Sequence, residues 1–164
     1  MSELTLIVTG AALLAASALF GAALYVAVVL APNLRGGPAG LEHGRLFMSA
    51  ATPAKLFRVL SPTTQLLVLV AVVSNWPSPQ RRWPLVGALL ALGLSDAITF
   101  AYHYPRNHLL FDSPLTVEPE RLRVAARQWA AANLIRVALV LGSWVATLAA
   151  LLGNASAWPA GPNP

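Results

Sequence analysis

Four long apolar runs, separated by stretches that contain polar and charged residues, dominate the chain. The runs occupy residues 4–30, 53–73, 84–104 and 119–152. Runs of about 20 apolar residues are typical of helices that cross a lipid bilayer. Because consecutive spans must alternate in direction, the pattern predicts an all-α fold, a four-helix transmembrane bundle with up-down-up-down topology.

Capping residues and prolines mark the ends of several runs. Thr52 before Pro53 is typical of a helix start, because Thr can cap free backbone amides and proline has none to cap. Gly153 after the last run is typical of a helix end. We expect residues 1–153 to form a single membrane domain. Residues 154–164, rich in proline and small side chains, are predicted to be a disordered tail.

The composition supports a protein that faces lipid. Hydrophobic residues make up 57% of the chain and charged residues 10%, whereas soluble domains carry about a quarter charged residues. The net charge is +5, and most basic residues lie at predicted helix ends. We therefore expect the lipid bilayer of the cell membrane, and not nucleic acid, as their partner. There is no cysteine, which excludes disulfides and thiolate ligands, and we expect no bound metal.

The basic residues also predict an orientation. Eight of them lie near the long loops 31–52 and 105–118, and two lie near the turn 75–82. The positive-inside rule then places both long loops in the cytoplasm. Small residues along the first run, such as Gly10 and Gly21, would let another helix approach closely, so a homo-oligomer is a further expectation.

Two charges lie inside the apolar runs, Asp96 in the third and Arg136 in the fourth. A charge at bilayer depth is costly and usually marks a functional site. Residues three or four apart share one helix face, which groups Asp96, Thr99 and His103 in the third span and Trp129, Asn133 and Arg136 in the fourth. We predict that Asp96 and Arg136 meet, or share a water-filled pocket, at matched depth below the long loops.

Two other interpretations stay open. A buried ion pair of Asp96 and Arg136 could fix helix packing in a non-enzymatic membrane subunit or carrier. Alternatively, His103 and His108 could ligate haem in an electron-transfer protein. A proline between these histidines, Pro105, is expected to end the third helix. The favoured interpretation is a ligand site without a cofactor.

Short motifs in three of the runs resemble one known family. They comprise Gly21 in the first run with Pro32 just after it, Pro105, Asn107 and Leu110 after the third, and Trp129, Asn133 and Arg136 in the fourth. The chain resembles the anthrone oxygenase-like family of small four-helix membrane proteins over about residues 4–152. The resemblance implies an oxygenase-type oxidoreductase, since some members oxidise polyketide anthrones to anthraquinones with molecular oxygen and no organic cofactor. Relatives often have His at the position of Asn133, whose amide cannot act as a base.

Such a reaction needs a base, donors for an oxyanion and an apolar slot for a small aromatic ligand. His103 is a better candidate base than Asp96, because a carboxylate paired with arginine keeps its charge and is a poor base. Arg136 and Asn133 would hold the oxyanion. Phe100, Tyr102 and Trp129 would line the slot, helical spacing adds Thr99 as a ligand contact, and the resemblance adds Asn107.

Overall fold

The computed structural model describes residues 2–112 and 118–153, and these two ranges contain five helices. The helices are α1 (Glu3–Leu34), α2 (Gly37–Phe47), α3 (Pro53–Ser74), α4 (Pro79–Phe111) and α5 (Pro119–Leu152). All except α2 are long and apolar enough to cross a membrane, and no strand occurs in these two ranges. The predicted all-α transmembrane bundle is confirmed. The tail that was predicted to be disordered lies outside the described residues.

The four long helices close a ring. α1 packs against α3 and α5, and α4 packs against the same two helices, so α3 and α5 face each other across the bundle. Large apolar side chains such as Leu14 and Leu90 point outward and are 73% and 69% exposed. An apolar outer surface of this kind is what a lipid-facing bundle requires. The short helix α2 packs on the first turns of α5.

The buried side chains form two apolar clusters, one near each membrane face. The first surrounds Trp129 on the side of α2, and the second surrounds Val68 and Leu92 toward the other face. Phe57 packs against both clusters. His103, Asn133 and Arg136 are also buried in the bundle. We call these three residues, with Asp96, the polar layer.

Two of the long helices continue past the ends expected from the sequence. α1 passes through Pro32 to Leu34, and α4 passes through Pro105 to Phe111. Both contain π-helical turns, at Val26–Leu30, Thr99–His103 and His108–Asp112. Two side chains near these turns bond to carbonyls of their own helix: Asn33 Nδ2 donates to the Val29 carbonyl at 2.8 Å, and Arg106 Nη1 donates to the Tyr102 carbonyl at 3.1 Å. Pro105 does not end α4, and the expected helix end at residue 104 is wrong, because π-helical turns on both sides of Pro105 continue the helix.

The start of α4 also differs from the expectation, since it begins at Pro79 and not at residue 84. Ser78 precedes it in extended conformation, and a proline in the first turn lacks only an amide that would be unpaired there. The loop expected at residues 31–52 contains α2. Gly37 permits the reversal between α1 and α2 with a φ of +80°, which an L side chain rarely adopts.

Candidate functional site

Three members of the polar layer are almost fully buried and incompletely paired. His103, Asn133 and Arg136 are 2%, 1% and 7% exposed. Both ring nitrogens of His103, Nδ2 of Asn133 and Nε of Arg136 have no hydrogen-bond partner among the described residues. A buried polar atom without a partner costs about 1–3 kcal/mol. Such a group of atoms is therefore suited to bind water or a polar ligand.

Arg136 reaches across the interior of the bundle. Its guanidinium lies over the ring of Phe57 at 5.1 Å, although α5 and α3 are on opposite sides of the ring of helices. On its own helix, Nη1 is 3.4 Å from Asn133 Oδ1. The position over an aromatic face compensates part of the cost of burying a cation. Arg136 thus points inward and not toward lipid.

Asp96 is held by neutral donors from α3. The Ser61 hydroxyl lies 2.9 and 3.0 Å from its two carboxylate oxygens, and Gln65 Nε2 donates to Oδ2 at 2.6 Å. Within the described ranges no ion pair joins Asp96 to Arg136, so the predicted direct pairing is wrong, and a shared water-filled pocket stays a prediction. The physical reason is that α3 offers two donors at the depth of Asp96. The charge of Asp96 still acts on Arg136 through space.

The face of α3 that meets these two charges is continuous. Phe57 and Ser61 are four residues apart and therefore adjacent on that face. Phe57 contacts Arg136, and Ser61 contacts Asp96. The two opposite charges consequently lie against neighbouring turns of the same helix.

Within the polar layer, His103 also packs in a cluster of aromatic and amide side chains. Its ring meets Trp129 edge to face with 5.3 Å between centroids, and Phe111 lies 6.5 Å from Trp129 on another side. Trp129 Nε1 donates to Asn107 Oδ1 at 2.7 Å. The predicted set of His103, Asn107 and Trp129 is therefore brought together. The charges of Arg136 and Arg106 both act on His103.

Other predicted ligand contacts lie elsewhere. The Thr99 hydroxyl donates to the Ser95 carbonyl of its own helix at 3.0 Å. Phe100 is 62% exposed and packs on Tyr104, with centroids 5.2 Å apart, on the lipid side. Tyr102 lies under Arg106, whose Cζ is 3.4 Å from the ring centroid. Among the described residues, no hydrogen bond or ring contact joins Thr99 or Phe100 to Arg136 or His103.

The site residues predicted from the sequence did not include Phe57, Ser61 and Gln65. Their spacing of four and four residues places them on one face of α3. A serine and a glutamine on this face, inside an apolar run, were the sequence pattern that indicated a polar contact.

No group of three or more His, Asp or Glu side chains that could hold a metal occurs among residues 2–112 and 118–153. His103 is buried, whereas His108 is exposed.

One comparison with known proteins gives a match. The family model described as anthrone oxygenase matches residues 46–146. That range includes all of α3 and α4 and most of α5, and with them the whole polar layer. No curated protein and no solved structure matches the chain.

Proposed function

Because the chain belongs to the anthrone oxygenase family, we propose that it oxidises a flat aromatic ketone of the anthrone type with molecular oxygen. The observation that carries the proposal is His103, a 2% exposed histidine whose two ring nitrogens are unpartnered. Donor groups of Asn133 and Arg136 in the same layer are also unpartnered. A base and oxyanion donors are the two kinds of group that such a reaction needs.

The chemistry requires no other oxidant. An anthrone carries a CH2 group whose protons are acidic, because loss of one gives an anion with its charge on the ring carbonyl oxygen. His103 would take that proton, and the carbanion would form a C–O bond to O2. The peroxide gains a proton; loss of the second C–H proton then breaks the O–O bond and forms the new carbonyl. The CH2 group and O2 become C=O and H2O, so atoms and electrons balance.

The assignment of roles follows from the contacts. Asp96 already accepts hydrogen bonds from Ser61 and Gln65, which leaves His103 better suited to take the substrate proton. Arg136 and Asn133 would donate to the carbonyl oxygen as its charge develops. Asn107 fixes Trp129 through a hydrogen bond and would thereby support the His103 ring.

The test is anthraquinone formation and oxygen uptake by the purified protein in nanodiscs with anthrone, corrected for spontaneous oxidation. His103→Gln should slow turnover by about 100-fold or more, the usual contribution of a general base. His43→Gln is a matched control, because His43 is exposed and its one hydrogen bond within the described residues is to the Ala39 carbonyl of its own helix. A folded His103→Gln protein that turns over at the wild-type rate would rule out His103 as the base.

A non-enzymatic role is the second candidate, and the hydrogen bonds that join Asp96 to Ser61 and Gln65 favour it. In that case Asp96→Asn would lower the stability of the bundle, and the wild-type protein would not consume oxygen with anthrone. For either role we place the protein in the cell membrane with α2 in the cytoplasm. The excess of basic residues around α2 and the start of α5 supports that orientation.

A further inference from the structure

A long groove runs along the outer face of the bundle between α4 and α5. Its deeper part has a volume of about 480 Å³, and its part nearer the long loops has about 310 Å³. Gln128 lines both parts. Tyr102 of the deeper part contacts Arg106 of the outer part, with Arg106 Cζ 3.4 Å from the ring centroid. The two parts therefore form one continuous depression, the α4/α5 groove.

Small apolar side chains line the deeper part of the groove. Four alanines line it, two from each helix: Ala97, Ala101, Ala131 and Ala132. Ala131 lies ten residues beyond Arg121 on α5, which is about 15 Å along the helix axis. The deeper part thus extends from the outer part into the apolar depth of the bundle.

The outer part of the groove is basic, and hydrogen bonds hold the side chain of Arg106 in place. Nε and Nη2 of Arg106 donate to Gln128 Oε1 at 3.1 and 2.9 Å, and Nη1 donates to the Tyr102 carbonyl at 3.1 Å. Arg121 lines the same part from the first turn of α5. Neither arginine forms an ion pair with an acidic side chain in the described parts of the chain. Among the described residues, these two positive charges therefore have no acidic partner, and they lie at one end of an apolar groove.

We propose that the α4/α5 groove binds an anionic glycerophospholipid, with its phosphate at Arg106 and Arg121 and one acyl chain along the four alanines. The charge and the apolar depth match the two ends of such a molecule, and arginine forms strong charge-assisted hydrogen bonds to phosphate. The site is separate from the proposed reaction, because Arg136 and His103 are buried inside the bundle, whereas the groove opens outward. A zwitterionic lipid would bring a cation together with its phosphate and would therefore not neutralise the charge of the two arginines.

The experiment is native mass spectrometry of the purified protein titrated with phosphatidylglycerol or phosphatidylcholine in detergent. We expect preferential retention of phosphatidylglycerol, and about fivefold weaker binding for Arg106→Gln and for Arg121→Gln, since one basic residue near a membrane surface contributes about 1 kcal/mol. Arg127→Gln is the matched control, because Arg127 is exposed on α5 and does not line the groove. Equal losses in all three variants would mean diffuse attraction and would overturn the proposal.

The apolar end is tested separately with Ala131→Leu, which should fill the groove and weaken phosphatidylglycerol binding. Ala138→Leu is its control, since Ala131 and Ala138 are both exposed on α5 and only Ala131 lines the groove. Competition by soluble glycerol phosphate as strong as that by the lipid would show a simple anion site and contradict the role of the chain. Retention of phosphatidylcholine equal to that of phosphatidylglycerol would also overturn the proposal.

Discussion

Replacement of Ser61 by alanine should weaken the attachment of α3 to α4. The Ser61 hydroxyl lies 2.9 and 3.0 Å from the two oxygens of Asp96, so its single hydrogen is shared between them. A neutral hydrogen bond between membrane helices contributes about 0.6 kcal/mol, and a charged acceptor roughly doubles that value. We therefore expect Ser61→Ala to lower the free energy of unfolding by about 1.2 kcal/mol. With Asp96→Asn already present, the same change should cost only about 0.6 kcal/mol.

The assay is reversible unfolding by dodecyl sulfate in mixed micelles, followed by circular dichroism for the four proteins of the double-mutant cycle. Ser74→Ala is the matched control on the same helix, because the Ser74 hydroxyl bonds only to the Val70 carbonyl at 2.8 Å. It should change the free energy of unfolding by less than about 0.5 kcal/mol. The reasoning is refuted if Ser61→Ala costs no more than Ser74→Ala, or if its cost is the same with and without Asp96.

Two further predictions concern the ends of the helices on the side of α2. Trp129→Phe removes the 2.7 Å hydrogen bond to Asn107 and should lower the free energy of unfolding by about 0.5–1.5 kcal/mol; an unchanged denaturation midpoint would argue against this contact. Gly40→Ala would place a methyl group against the Asn33 carbonyl oxygen and should destabilise the protein by about 1–3 kcal/mol. Gly87→Ala, whose added methyl group meets no atom within 4 Å, should be neutral or stabilising in the same unfolding assay.

The sequence was sufficient to predict the fold because the length of an apolar run is set by the thickness of the bilayer. The ends of the helices were less predictable. Pro105 usually ends a helix, but here α4 continues through it with two π-helical turns. A change from α-helical to π-helical backbone on either side of a proline is not visible in a hydropathy pattern.

The position of Arg136 inside an apolar run correctly predicted that its side chain lies within the bundle, where it is 7% exposed. The partner of Asp96 was not predictable by matching opposite charges, because two neutral side chains of α3 satisfy the carboxylate. Phe100 was expected in the ligand slot for its aromatic ring alone, whereas its 62% exposure places it on the lipid side.

The π-helical turn at Thr99–His103 determines how a single-residue gap in a relative affects the polar layer. A π-helical turn accommodates one residue more than an α-helical turn, whereas each residue of a regular α-helix rotates it by about 100°. A relative lacking one residue within Thr99–His103 would therefore form a regular helix there and keep Asn107 facing Trp129. The same gap in a regular part of α4 would turn Asn107 by about 100° and away from Trp129. A single-residue gap at the π-helical turn in a sequence alignment would therefore indicate an unchanged site.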